Sequence, residues 1–372
     1  MKLAIFTLPL HVNYGGILQA YALQSVLQRM GHEVFLYDTP FPPPPLSRKK
    51  RLLRRLLRIL LLGKEFQSKP RHRMSRKESY RRRHILRFLH DTFRMRVLSS
   101  EQDGLEAVVV GSDQIWRPLY FPSIEMAFLS YTEDWTDVRR VAYACSFGAD
   151  EPEYTDVQVE VCGNLLTRFD AVSIREDRMA SIMKDVYRWK CNPVHVLDPT
   201  MLLSVDDYRA MYRKASPAIS RRVKNTLFCY ILDPNDEKDR IRECLLAEQH
   251  ATILTQTDLS PRSDSLSDGD YASLESWVHA FDETDLVLTD SFHGCVFSIL
   301  FHKPFVAIGN KGRGMARFLS LLSMFGLEDR LILDASGFHP DLMDRPIDWE
   351  RIDERLERYR ADSFAFLHKC LM

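Results

Sequence analysis

The residues best equipped for chemistry lie together in Asp290-Ser291-Phe292-His293-Gly294. Four apolar or β-favouring residues (286–289) precede this turn and an apolar run follows it, so the turn joins a buried strand to a buried helix. In open α/β sheets, ligands bind at that edge. A helix start offers backbone N–H groups and a partial positive charge, a seat for phosphate or carboxylate. A histidine there can pass a proton near neutral pH. The bland alternative is that Ser291 only caps the helix and His293 only bonds locally.

Other turns carry comparable groups. His11-Val12-Asn13-Tyr14-Gly15-Gly16 precedes a helix pattern, and Asn13, Gly15 and Gly16 would let backbone approach a ligand at the helix N-terminus. It is not the GxGxxG of a dinucleotide site, and a plain helix-entry turn is its alternative. Gly111-Ser112-Asp113-Gln114-Ile115-Trp116 offers Ser112, Asp113 and a Trp116 platform for a sugar, unless it is a capping turn with a core tryptophan. Ser146 stands in a similar strand-end turn, Cys145-Ser146-Phe147-Gly148. Arg175 directly follows a strand pattern, where its guanidinium could clamp a carboxylate or phosphate in two-point fashion or pair with Glu176 or Asp177. Lys311-Gly312-Arg313-Gly314-Met315-Ala316-Arg317 reads as an anion lid carrying Arg313 and Arg317, or as a mobile solvated loop.

Strands and helices must alternate to place these turns. Strands are predicted over 2–7, 33–37, 107–110, 139–143, 171–174 and 194–197, then over 226–232, 252–255, 286–289, 305–308 and 331–333, with helices between. Alternation of this kind implies doubly wound parallel sheets. The expected fold is α/β, with two Rossmann-like domains facing a cleft (GT-B-like). The first covers 1–200, with a basic helical insertion over 48–96. The second covers 201–348, and a C-terminal helix over 349–372 crosses back. The length of 372 residues also favours two domains.

Composition narrows the class. Seven scattered cysteines without a CxxC pair argue against a disulfide framework or zinc site and for a reducing compartment. No stretch approaches the roughly 20 apolar residues of a membrane span. The expected setting is the cytoplasm, with a start that does not read as a signal peptide. The net charge of zero hides an asymmetry, because 48–96 holds 19 Lys or Arg against three acids, leaving that segment +16 and the remainder −16. Within it, leucines at 52, 53, 56, 57, 60 and 61 form one helix face and arginines at 51, 54, 55 and 58 another. Two readings stand for 51–62: a basic amphipathic helix in peripheral contact with an anionic membrane, or a lid packing its leucines on the protein body. A second basic helix is predicted over about 74–94. Nucleic acid is not an expected partner, because the arginines lack interleaved aromatics. The sequence leaves the oligomeric state open.

Taken in order, these motifs resemble one family, the polysaccharide pyruvyl transferases. The matching pieces are Asn13-Tyr14-Gly15-Gly16, Gly111-Ser112-Asp113-Gln114-Ile115-Trp116, Tyr143-Ala144-Cys145-Ser146-Phe147-Gly148, Ser173-Ile174-Arg175-Glu176, Leu197-Asp198-Pro199-Thr200 and Thr289-Asp290-Ser291-Phe292-His293-Gly294. The resemblance implies transfer of a pyruvyl group from phosphoenolpyruvate, the donor substrate, onto two sugar hydroxyls of a glycan acceptor. A lipid-linked polysaccharide precursor is the expected acceptor, and no cofactor or metal is required. It implies that His293 protonates the donor and that Arg175 holds it. Family members carry arginine-any-histidine at the late motif, and here Ser291 stands in the arginine position, with Arg313 or Arg317 as replacement cations. The rival reading is a GT-B-type glycosyltransferase with a nucleotide-sugar donor, since fold does not decide chemistry. A third is a membrane-surface scaffold for a glycan assembly complex.

Overall fold

A computed structural model describes residues 1–38, 75–98, 101–149, 151–215, 225–254, 259 and 271–372. The proline run at 42–45 and the 51–62 leucine–arginine segment lie outside the described residues.

Seven strands form the first sheet: β1 Lys2–Phe6, β2 Glu33–Asp38, β3 Met95–Val97, β4 Ala107–Asp113, β5 Arg139–Cys145, β6 Ala171–Ile174 and β7 Val194–His195. Their order is β3-β2-β1-β4-β5-β6-β7, and every pairing is parallel. Strands buried on both faces can be apolar throughout. In β1, Leu3 and Ile5 join one apolar cluster while Ala4 and Phe6 join another. Ala107 and Val109 of β4 part from Val108 and Val110 in the same way.

The second sheet holds β8 Thr226–Tyr230, β9 Thr252–Leu254, β10 Leu286–Thr289, β11 Phe305–Ile308 and β12 Leu331–Ile332. Its order is β12-β11-β10-β8-β9, again parallel. One of its faces, with Phe228, Tyr230 and Val287, shares an apolar cluster with Leu3, Ile5 and Leu18 of the first lobe. The two lobes are therefore joined through a common core. The helix Trp349–Leu371 is fastened to the first lobe by Arg139 Nη1 donating to the Cys370 carbonyl (2.9 Å), and its Arg360 donates to the carbonyls of Met201 (2.6 Å) and Leu203 (2.7 Å) just past that lobe.

Strand order reverses between β1 and β4 in the first sheet and between β8 and β10 in the second. Crevices at such reversals are where open α/β sheets bind ligands. The structure departs from the sequence reading in several places, and β7 and β8 each end two residues short of expectation. The segment expected as one basic helix over 74–94 holds two, Arg76–Arg81 and Arg83–Thr92, parted at Arg82. The short edge strand β3 follows them, too brief and charged to show a strand pattern. Strands β4 and β5 run two or three residues beyond expectation, carrying Ser112, Asp113 and Cys145 into the sheet.

Candidate active site

The first lobe supplies a buried set of charges. At the end of β4, a side chain on Gly111 would overlap the Tyr143 carbonyl, and its φ of +130° suits glycine alone. Ser112 follows, its N–H and Oγ donating to Gln19 Oε1 at 2.9 and 3.0 Å. Arg175, at the end of β6, sits among three carboxylates. Its Nη1 donates to Asp198 (2.7 Å), its Nη2 to Asp113 (3.2 Å) and its Nε to Glu176 (3.3 Å). All four side chains are 5% exposed or less. Asp198 Oδ1 also accepts from Thr200 N (3.0 Å) and Oγ1 (2.6 Å).

Burial opposes every charge here, and only the partners keep the groups ionised. Burial raises Asp198, but His293, Arg175 and Thr200 outweigh it and hold the carboxyl well below its ordinary range. Asp113 is likewise lowered, against burial, by Arg175, His293 and Arg317. Burial of Glu176 is only partly offset by Arg175 and Ser146, so its carboxyl is pushed up. Two neighbouring carboxylates driven apart in this way are a pattern of acid–base sites.

The second lobe faces this set with the turn after β10. Thr289 Oγ1 donates to the Tyr230 carbonyl (2.8 Å) and accepts the Ser291 N–H (3.1 Å). Any side chain on Gly294 would overlap Thr289, which explains the glycine. The helix Phe292–Leu300 follows, and Ser291 makes no side-chain cap, so its first turn keeps unclaimed N–H groups. His293 is 4% exposed and lies across the crevice against Gly15, where a Cβ would overlap the imidazole. Its Nε2 has no hydrogen-bond partner and stands 3.7 Å from Asp198 Oδ2, beyond hydrogen-bond length.

Arg317 comes from the helix Ala316–Phe325 and is buried in the same crevice. Its Nη2 donates to the Arg313 carbonyl (2.7 Å), and its Nε has no partner. Burial and the nearby Arg175 depress it to about 10, with Asp113 and Glu176 opposing. The Phe292 ring lies 4.3 Å from the Arg175 guanidinium and 5.8 Å from that of Arg317. The crevice thus gathers Gly15, Ser112, Asp113, Arg175, His293 and Arg317.

A model of the family described as polysaccharide pyruvyl transferase matches residues 13–312. The chain belongs to the polysaccharide pyruvyl transferase family. It is accordingly a glycan-modifying transferase of polysaccharide biosynthesis. No curated protein matches it. Among solved structures it is similar to UDP-GlcNAc 2-epimerase from Neisseria meningitidis bound to UDP-GlcNAc (12% identity, 100% of each chain, TM-score 0.49). It is also similar to S. aureus MnaA with UDP (13%, 98% of this chain and 94% of that one, TM-score 0.48).

In this pyruvyl transferase the other residues singled out from sequence have surroundings of their own. Trp116 is no exposed sugar platform: it is fully buried, stacks on Phe128 at 4.6 Å and donates Nε1–H to the Ala127 carbonyl. Asp290 is scaffold, its oxygens accepting from Leu232 N, Asp233 N, Lys238 Nζ and Asn310 Nδ2. Arg313 is paired with Asp233 at 2.6 Å and half-buried, so of the two loop arginines only Arg317 reaches the charge set. Ser146 is buried and accepts the Gly148 N–H. Asn13 is exposed, its carbonyl accepting from Ile17. Gly16 is half-buried beside the Asn13 side chain.

Sequence reasoning did not single out Asp198, Phe292 or Lys238 as site or scaffold residues. Asp198 was visible only as a strand-end acid next to Pro199, whereas Glu176 was weighed as a salt-bridge partner of Arg175, and the structure pairs the two. Nothing in the sequence paired Lys238 with Asp290, 52 residues away. Among the described residues, no helix is long and apolar enough to cross a membrane.

Proposed function

We propose that the chain transfers a pyruvyl group from phosphoenolpyruvate to two hydroxyls of one sugar in a polysaccharide precursor, closing a cyclic ketal. One observation carries the reading: His293 Nε2 and Arg317 Nε are both buried, both unpartnered and both in one crevice. Buried polar groups are almost always satisfied, and orphans of this kind call for a partner. An anionic enol ester supplies one for Arg317 Nε and takes up a proton from the imidazole of His293.

Phosphoenolpyruvate carries a carboxylate and a phosphate. Arg175 gives one N–H from each of its three nitrogens to a carboxylate, so in this reading it holds the acidic set in place and orders the donor indirectly. Arg317 Nε and the uncapped first turn of the Phe292–Leu300 helix take the donor's anionic groups. Arg317 thereby stands in for a guanidinium at position 291. His293 gives its proton to the methylene carbon, which leaves a cation-like centre at the neighbouring carbon. One sugar hydroxyl adds there and loses its proton. The second hydroxyl displaces inorganic phosphate and loses its own, so one proton restores His293 and the other leaves the site. The acceptor is a lipid-linked sugar, brought near an anionic membrane surface by the 51–62 segment.

Thermal stabilisation tests the donor. Phosphoenolpyruvate should raise the unfolding temperature, whereas a panel of nucleotide-sugars should not. Stabilisation by a nucleotide-sugar alone would turn the reading to glycosyl transfer. Arg317→Met should weaken phosphoenolpyruvate binding roughly 10- to 100-fold, the loss of one charged hydrogen bond worth about 1.5–3 kcal/mol.

A further inference from the structure

We infer that Asp198 is the positioning residue for His293 and that the pair forms across the two lobes, with Gly15 leaving the space in which the imidazole docks. As a statement about catalysis this rests on the proposed function; as a statement about the pair it stands on geometry. Asp198 Oδ2 is the only carboxylate oxygen set within 4 Å of His293 Nε2 among the described residues, at 3.7 Å. That carboxylate is not free to swing away. Arg175 and Thr200 hold it from two sides. Both holders belong to the first lobe. The imidazole belongs to the second and has no partner there for Nε2.

Gly15 explains how the ring arrives. It sits in the first turn of the helix Tyr14–Arg29, and a Cβ at that position would overlap His293 Nδ1 and Cγ. Alanine suits a helix better than glycine, so a glycine there trades helix stability for the close approach. A second glycine contact closes the crevice beside it. Gly314, with φ +92°, lies so near the Gly148 carbonyl that a side chain would overlap it. Tyr14 OH adds a cross-lobe hydrogen bond to the Ala272 carbonyl at 3.0 Å.

The consequence is mechanical. A small shift of the lobes toward each other shortens 3.7 Å to a hydrogen bond, which fixes which imidazole nitrogen faces the carboxylate. Opening the lobes breaks the pair. Orientation of the acid is thereby coupled to closure, the general logic by which closing motions complete catalytic sets.

The test is proton NMR of the full chain with 15N-labelled histidine, and His293→Gln assigns the signal. The wild type, examined with saturating phosphoenolpyruvate and without, should show in at least one of the two states an exchange-protected, downfield imidazole N–H proton from His293. That proton should be lost in Asp198→Asn, which keeps the side chain's shape, and in Gly15→Ala, which leaves the Asp198 cluster untouched. Both variants are checked for folding by their other histidine signals. Survival of the proton in either folded variant, or its absence from the wild type in both states, overturns the inference. Failure of phosphoenolpyruvate to bind while the proton is present and Asp198-dependent would overturn the proposed donor and leave the pairing intact.

Discussion

Replacing Arg175 by methionine gives the sharpest quantitative test of the charge set. Methionine keeps much of the volume and removes the guanidinium from Asp113, Glu176 and Asp198, each within 3.3 Å of it. Removing one member of a buried ion pair costs about 3–5 kcal/mol, because the other charge is left uncompensated. A second route bounds the same quantity, since an abandoned carboxylate can take up a proton instead. With an ordinary value near 3.9 and about 1.36 kcal/mol per unit, that uptake costs about 4 kcal/mol at pH 7 and about 1.5 kcal/mol at pH 5. The two routes agree at neutral pH if one carboxyl is protonated, while the others keep the Thr200 hydrogen bonds and the nearby Arg317 charge. The variant should therefore be about 4 kcal/mol less stable than the wild type at pH 7, and most of that deficit should vanish at pH 5. The sign follows from linkage: the folded variant binds more protons than its unfolded chain, so its stability falls as pH rises. Urea denaturation of both proteins at the two pH values, followed by tryptophan fluorescence, measures the difference. A deficit that is equal at pH 5 and pH 7, or below about 1 kcal/mol at pH 7, would mean that the three carboxylates do not depend on Arg175.

Three further outcomes are expected. In the wild type, Asp113 and Asp198 are held below their ordinary values, so their stabilisation is present above about pH 4 and lost as pH falls through the depressed folded-state values; denaturation midpoints between pH 5 and pH 2 should show that loss, and a flat profile would contradict it. Trp116→Phe should lower stability by about 1–3 kcal/mol, leaving the Ala127 carbonyl unsatisfied, without changing phosphoenolpyruvate affinity in calorimetry; a selective loss of affinity would return Trp116 to the site. Leu56→Glu should weaken co-sedimentation with anionic vesicles roughly 10- to 100-fold, from about 1.5–3 kcal/mol of leucine burial; equal binding by both proteins would remove the membrane role of the 51–62 segment.

Most of the fold was legible because parallel strands buried on both faces leave an unmistakable mark. β6, β10 and β11 match their apolar runs residue for residue. β3 was not legible: Met95-Arg96-Val97 is an edge strand with little to bury, and its pairing with β2 comes from the sheet. The candidate site was legible as turns. Asp290 was singled out and Asp198 was not, although the two look alike in sequence, each an acid just past a strand pattern. Only the fold brings Lys238 and Asn310 to the first and Arg175 to the second.

The sequence by itself determined the alternation of strand and helix and the polar turns at the strand ends, because periodicity and turn chemistry are local properties of the chain. Tertiary structure alone decided which charged groups are buried together and which are left unpartnered. It turned Trp116 into core, Asp290 into scaffold and Arg175 into the hub of three carboxylates. It also laid His293 from one lobe against Gly15 and Asp198 of the other. The physical reason is that burial and pairing set the energy of a charge, and both depend on neighbours that lie tens to hundreds of residues away along the chain.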